Sequence, residues 1–180
     1  MKKLLTAFLF MAIASTGFCT KPCNGLCGFK LGEKIDENKA LVIETSPSGI
    51  KTYFAKDFTK FMEVNIVMIR TLQDNSIFSI YALSEIPQNK ADNYYKQILT
   101  VIDKHYEIDP KIKKSFEEPL DLSTVYDFPE NIQMFVNCSR QGYSVPAKVS
   151  INVLNTKIQE KVNKEDEEAK IKSIDTSALE

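Results

Sequence analysis

A chain of 180 residues with 43% hydrophobic and 26% charged side chains is long enough for one packed core and too short for two comfortable ones. Its formal charge of −1, which becomes −3 once Lys2 and Lys3 leave with a leader, gives no long-range field for a polyanion. Only Arg70 and Arg140 are arginines, whereas bidentate recognition of phosphate and guanine favours the planar guanidinium, so nucleic acid is not an expected partner.

Residues 1–14, MKKLLTAFLFMAIA, read as a secretory signal peptide. Two lysines precede an apolar run from Leu4 to Ala14, and small residues follow at Ser15 and Gly17. The run is shorter than the ~20 residues a bilayer-crossing helix needs, so no transmembrane helix is expected after the signal is removed. Cleavage after Ala14 fits the small-residue rule, with Gly17 the alternative, and either leaves Cys19 in the mature chain. A lipid anchor on Cys19 would need a small residue before it, and Phe18 stands there; Lys21 and Pro22 precede Cys23. The expected address is the periplasm or the exterior of a Gram-negative bacterium, with lipid anchoring in the envelope as the alternative.

Export changes the meaning of the cysteines, since thiols in an oxidising compartment tend to pair. Cys19, Cys23, Cys27 and Cys138 allow three pairings. The CxxxCxxxC step fits neither zinc pairs nor a redox CxxC, and the single histidine, His105, is remote in sequence, so neither metal nor another cofactor is expected. The favoured arrangement is Cys27 with Cys138 and Cys19 with Cys23. Cys138 ends the alternating series Ile132, Met134, Val136, which places its sulfur on the core face of a strand. Closing so long a loop contributes about 4–5 kcal/mol in the chain-entropy account.

In chain order, LVIET (41–45) and IKTYFAKDF (50–58) read as strands around the turn Ser46-Pro47-Ser48-Gly49. Runs from Glu63 to Leu72 and from Ser76 to Ile86, parted by Gln73-Asp74-Asn75, read as a hairpin, and their two-sided apolarity places them centrally in a sheet. Asn89 caps an expected helix to Tyr106, with Tyr95, Ile98, Leu99, Ile102 and Tyr106 on one face and Tyr94 off that stripe. The proline-punctuated segment 109–130 reads as a long loop. Strands follow at 131–140 and 147–153, then a second helix with Thr156 and Gln159 spaced as a capping box. Hairpin followed by helix thus occurs twice. The predicted fold is α+β: an antiparallel sheet of five or six strands with two helices on one face, a single domain spanning 19–162, and a charged, partly disordered tail over 163–180.

Candidate chemistry is sparse. His105, in the last turn of its helix, has no assignable nucleophile beside it and reads as a surface residue. Glu117, Glu118, Asp121, Asp127 and Glu130 crowd the expected loop without the spacing of a calcium loop. Tyr53, Phe58, Phe61 and Tyr94 would mark a partner-binding patch if exposed together.

FKLGEKI (29–35), SIFSIYA (76–82), KHYEID (104–109) and the ending IQEKVNKEDEEAKIKSIDTSALE together resemble a set of small exported proteins of Gram-negative bacteria with no assigned activity. The resemblance implies an exported α+β domain and nothing catalytic. The glycine-containing opening is also similar to small outer-membrane assembly lipoproteins of the BamE type, from which Phe18 departs at the lipidation signal. With no nucleophile–base set, phosphate loop or metal spacing, the expected role is a non-enzymatic interaction module whose partner is another envelope protein. The rivals are an exported inhibitor of a hydrolase, signalled by a protruding loop at 109–130, and a carboxylate-dependent hydrolytic enzyme.

Overall fold

The computed structural model describes residues 21–141 and 145–172. The expected signal peptide, Cys19 and its pairing lie outside that range, as does the chain beyond Lys172.

Eight strands form one antiparallel sheet, and a separate two-stranded ladder, β1 (Gly25–Leu26) and β2 (Phe29–Lys30), lies before it. The large sheet contains β3 (Ala40–Thr45), β4 (Lys51–Ala55), β5 (Ile66–Thr71), β6 (Ile77–Ile86), β7 (Lys113–Glu117), β8 (Asp121–Phe128), β9 (Ile132–Ser139) and β10 (Ala147–Asn155). Its spatial order is β3-β4-β5-β6-β10-β9-β8-β7. Two four-strand meanders thus meet along β6 and β10. Each meander ends in a helix, α1 (Gln88–Tyr106) after β6 and α2 (Thr156–Lys172) after β10. The α+β class and the repeated hairpin–helix order are present; the strand count exceeds the expectation because segment 109–130 is a β7–β8 hairpin rather than a loop. Leu122, Thr124, Tyr126 and Phe128 alternate inward along β8, a periodicity that the flanking prolines obscure.

The helices pack on opposite faces, not on one. Tyr95, Ile98 and Ile102 of α1 join the cluster built on Val149, Ile151 and Val153 of β10 and Met134 and Val136 of β9, which defines a front face. On β5, Ile69 belongs to the front core, so neighbouring Arg70 points to the back. There Arg70 Nη1 donates to Gln159 Oε1 of α2 at 3.2 Å and its guanidinium lies 5.2 Å over the Phe78 ring. Val162 of α2 is fully buried among Ile50, Phe78, Ile158 and Leu72 on that same side. Ser48 donates to Asp166, fixing the third turn of α2 against the β3–β4 turn. The front of β4, β5 and the Ile77–Ala82 part of β6 is closed by the N-terminal segment: Cys27 and Ile35 are buried against Tyr53, Val67, Ile69 and Ile80.

Both helix starts differ from expectation. Pro87, not Asn89, is the cap of α1 and offers no side-chain acceptor. At α2, Asn155 Oδ1 accepts from Ile158 N at 3.1 Å, while Thr156 Oγ1 donates to the Asn131 carbonyl, so the cap is made one residue earlier than the Thr156–Gln159 spacing suggests. The helix continues through NKEDEEAKIK, where Lys161–Glu165 and Lys164–Glu168 pairs at 3.6 and 4.0 Å provide i,i+4 support.

Candidate functional site: the two edges of the sheet

The residues expected to form a partner patch do not form one. Tyr53 has no exposed surface, because its ring fills the front core of β4 while its hydroxyl reaches Glu37 Oε1 and Asn75 Oδ1 at 3.3 Å each. Tyr94 is buried; its hydroxyl sits 3.0 Å from Ser84 Oγ and accepts from Glu63 N at 3.0 Å. Its hydroxyl lets it serve the core face from a position that helical periodicity assigns to the flank. Phe58 and Phe61 are half-buried against the front core.

The expected Cys27–Cys138 bridge is not formed. Both are buried free thiols, and they belong to different clusters, Cys27 under the N-terminal segment with Ile35 and Tyr53, Cys138 between β9 and α1 with Cys23. Burial pushes the Cys27 thiol up to about 11, and burial followed by the Asp92 charge raises Cys138. Protonated buried thiols are packing groups rather than nucleophiles.

The five carboxylates of segment 109–130 are dispersed by the hairpin. Glu117 and Asp121 flank its turn, Glu118 begins it with its amide donating to the Asp121 carbonyl at 2.8 Å, Asp127 accepts from Lys114 Nζ at 2.9 Å and Gln133 Nε2 at 2.7 Å, and Glu130 occupies a left-handed turn at φ 61°. Among the described residues, no group of three or more His, Cys, Asp or Glu could hold a metal ion. His105 is exposed at the end of α1, edge-on to Tyr106 with ring centroids 4.7 Å apart, beside a mainly apolar cavity of about 260 Å³. A larger cleft of about 690 Å³ opens between the 60–65 loop and the start of α1; its carboxylates, Glu63 and Glu85, are exposed and accompanied by Lys60 and Lys90.

What the sheet does leave accessible is its two edges, and they differ. β7, sequence KKSFE, carries two lysines, and both are tied down. Lys113 Nζ donates to Asp103 Oδ2 of α1 at 2.6 Å and lies 5.5 Å over the Tyr126 ring, whose hydroxyl donates to Asp103 Oδ1 at 2.9 Å. Lys114 pairs with Asp127 on the neighbouring strand. Edge lysines of this kind discourage a further strand.

The opposite edge, β3, has sequence ALVIET and exposes Leu41 at 54%, Val42 at 43% and Ile43 at 52%, with Phe54 of β4 beside them at 37%. A one-residue bulge at Ile43 separates Val42, opposite Tyr53, from Glu44, opposite Thr52. Lys39 O accepts from Lys56 N at 2.8 Å, which turns the Lys39 backbone inward. By alternation, Ala40 and Val42 present their N–H and C=O groups outward, and no described strand receives them. Sequence reading recognised LVIET as a strand but not as an edge. The signal was present in its unrelieved apolar run without a lysine, yet such a run equally suits a central strand.

No protein-family model, curated protein or solved structure matches this chain. Among the described residues, no helix is long and apolar enough to cross a membrane.

Proposed function

We propose that this protein is an exported, non-enzymatic interaction module that binds an extended protein segment along the open edge of β3. The observation that carries the reading is the coincidence of outward-facing backbone groups at Ala40 and Val42 with exposed Leu41, Val42, Ile43 and Phe54. Strand addition draws affinity from main-chain hydrogen bonds and specificity from alternate side chains, and β3 offers both. The basic start and short apolar run of residues 1–14 support export to the periplasm or beyond, the compartment in which the partner strand would be met. Two features weigh against the rivals: segment 109–130, the protrusion an inhibitor would use, is tied into the sheet, and the carboxylates of the cleft beside the start of α1, Glu63 and Glu85, are solvated.

The test places a photo-reactive amino acid at position 43 or, as control, at 116 of the opposite edge in cells that produce the full chain. Adducts from position 43 that disappear on Leu41→Lys are expected. Equal adducts from both positions, or none from 43, would overturn the reading.

A further inference from the structure

Resting on the reading of β3 as a docking strand, we infer that the segment it accepts is β3 of a second copy, paired antiparallel about a two-fold axis at Leu41. The argument starts from the bulge. Leu41 lies opposite Phe54, which lies opposite Met68, and Glu44 lies opposite Thr52, which lies opposite Arg70. Cross-strand partners share a face, so Leu41, Phe54 and Glu44 all belong to the back face that Arg70 defines. Lys39 joins them by alternation with Ala40, which opposes Ala55 on the front. Without the extra residue at Ile43, Glu44 would fall on the front, away from Lys39. With it, Lys39 and Glu44 stand on one face, one ladder position-pair to either side of Leu41.

That spacing is self-complementary. An antiparallel copy centred on Leu41 sets Leu41 against its equivalent, Lys39 against Glu44 of the second copy, and Glu44 against Lys39. Opposite charges meet twice, as a two-fold axis requires. Lys39 and Glu44 are both exposed, and among the described residues no ion pair engages either. The backbone agrees. Because Lys39 turns its carbonyl to β4, the outward groups belong to Ala40 and Val42, which become the hydrogen-bonded pair across the axis. Leu41 then falls in the closer, non-hydrogen-bonded position, where its side chain meets its equivalent and extends a back-face stripe of Phe54, Leu41, Leu41 and Phe54 across both copies. The two sheets become one of sixteen strands with β7 at each outer end.

A ladder this short buries an area at the low end of specific interfaces, so a dissociation constant on the order of 10 µM is expected. Sedimentation of the exported chain, from a few to several hundred micromolar, tests it. A monomer–dimer equilibrium is expected for the native chain, and monomer throughout for Leu41→Lys, which sets two lysines together at the axis. Lys39→Glu and Glu44→Lys should each weaken association by about fivefold or more, and the double exchange should restore it, since the charges are only reversed. A native chain that stays monomeric, or a double exchange as weak as either single change, overturns self-pairing. If the chain is monomeric while position-43 adducts to another protein persist and fall on Leu41→Lys, β3 docks a different strand and only the self-pairing is lost. If neither dimer nor adduct is found, the docking reading falls with it.

Discussion

The two ends of the eight-stranded sheet solve the same problem in opposite ways. Any terminal strand offers unpaired backbone groups, and β7 surrounds its own with Lys113 and Lys114, each held by a carboxylate on a neighbouring element. β3 has no cation within the strand and sets three consecutive apolar residues toward solvent. The sequences differ accordingly: ALVIET is rich in strand formers, whereas KKSFE has only Phe116 and is held in the sheet by its pairing with β8. The contrast teaches that edge protection here is a local electrostatic device, present where the sheet must end and missing where association is proposed.

The largest effect is expected at the anchor of the protected edge. Tyr126 is fully buried under β7 and joins Asp103 to the core, so Tyr126→Ala should cost about 3–5 kcal/mol in denaturant unfolding. Tyr126→Phe keeps the ring and removes only the hydroxyl. Asp103 then still accepts from Lys113, and a loss of about 1–2 kcal/mol is expected, against which an unchanged midpoint would show that the bond contributes nothing.

A deprotecting change sharpens the comparison from the other side. Lys114→Val should create a second open edge and concentration-dependent growth beyond a dimer in gel filtration, because a chain with two adhesive edges no longer closes. Persistence of the native elution profile would mean that the lysine does not guard β7.

Acid should act on β7 through Asp127. The hydrogen bond from Lys114 holds this carboxylate below its ordinary range, with a further contribution from Gln133 and with burial opposing them. A carboxylate with a lowered folded pKa contributes stability that is complete above its unfolded value of about 4 and is lost as the pH falls through the folded value. Asp127→Asn should therefore differ from the native chain at neutral pH and converge with it in strong acid. The difference is small, since Lys114 is largely solvated. The smallest effect on stability belongs to Ile43→Lys, within about 0.5 kcal/mol of the native chain because the residue is exposed. The same substitution should remove association, separating the role of β3 in binding from any role in folding.

Much of the fold was legible in the chain because the signals are short-range. Alternation at Ala147, Val149, Ile151 and Val153, and the helical stripe of Tyr95, Ile98 and Ile102, determined those elements before any packing was known. Leu122 to Phe128 carried the same alternation, but Pro119, Pro129 and the surrounding charges disguised it. Three further features depended on packing. The opposite placement of the helices follows from which face of β6 and β10 each one meets after its turn. The burial of Tyr53 and Tyr94 follows from hydroxyl partners drawn from distant segments, Glu37 and Asn75 for one, Ser84 and the Glu63 amide for the other. The separation of Cys27 from Cys138 follows from the N-terminal segment closing the first meander while α1 closes the second.

The sequence by itself determined the α+β class, the hairpin–helix order and the strand character of LVIET, since each depends on the pattern of neighbouring residues. Only the tertiary structure decided that ALVIET is an edge and KKSFE the opposite one. An edge is a property of strand order, set by long-range pairing across β6 and β10, and no pattern inside a strand records who its neighbours are.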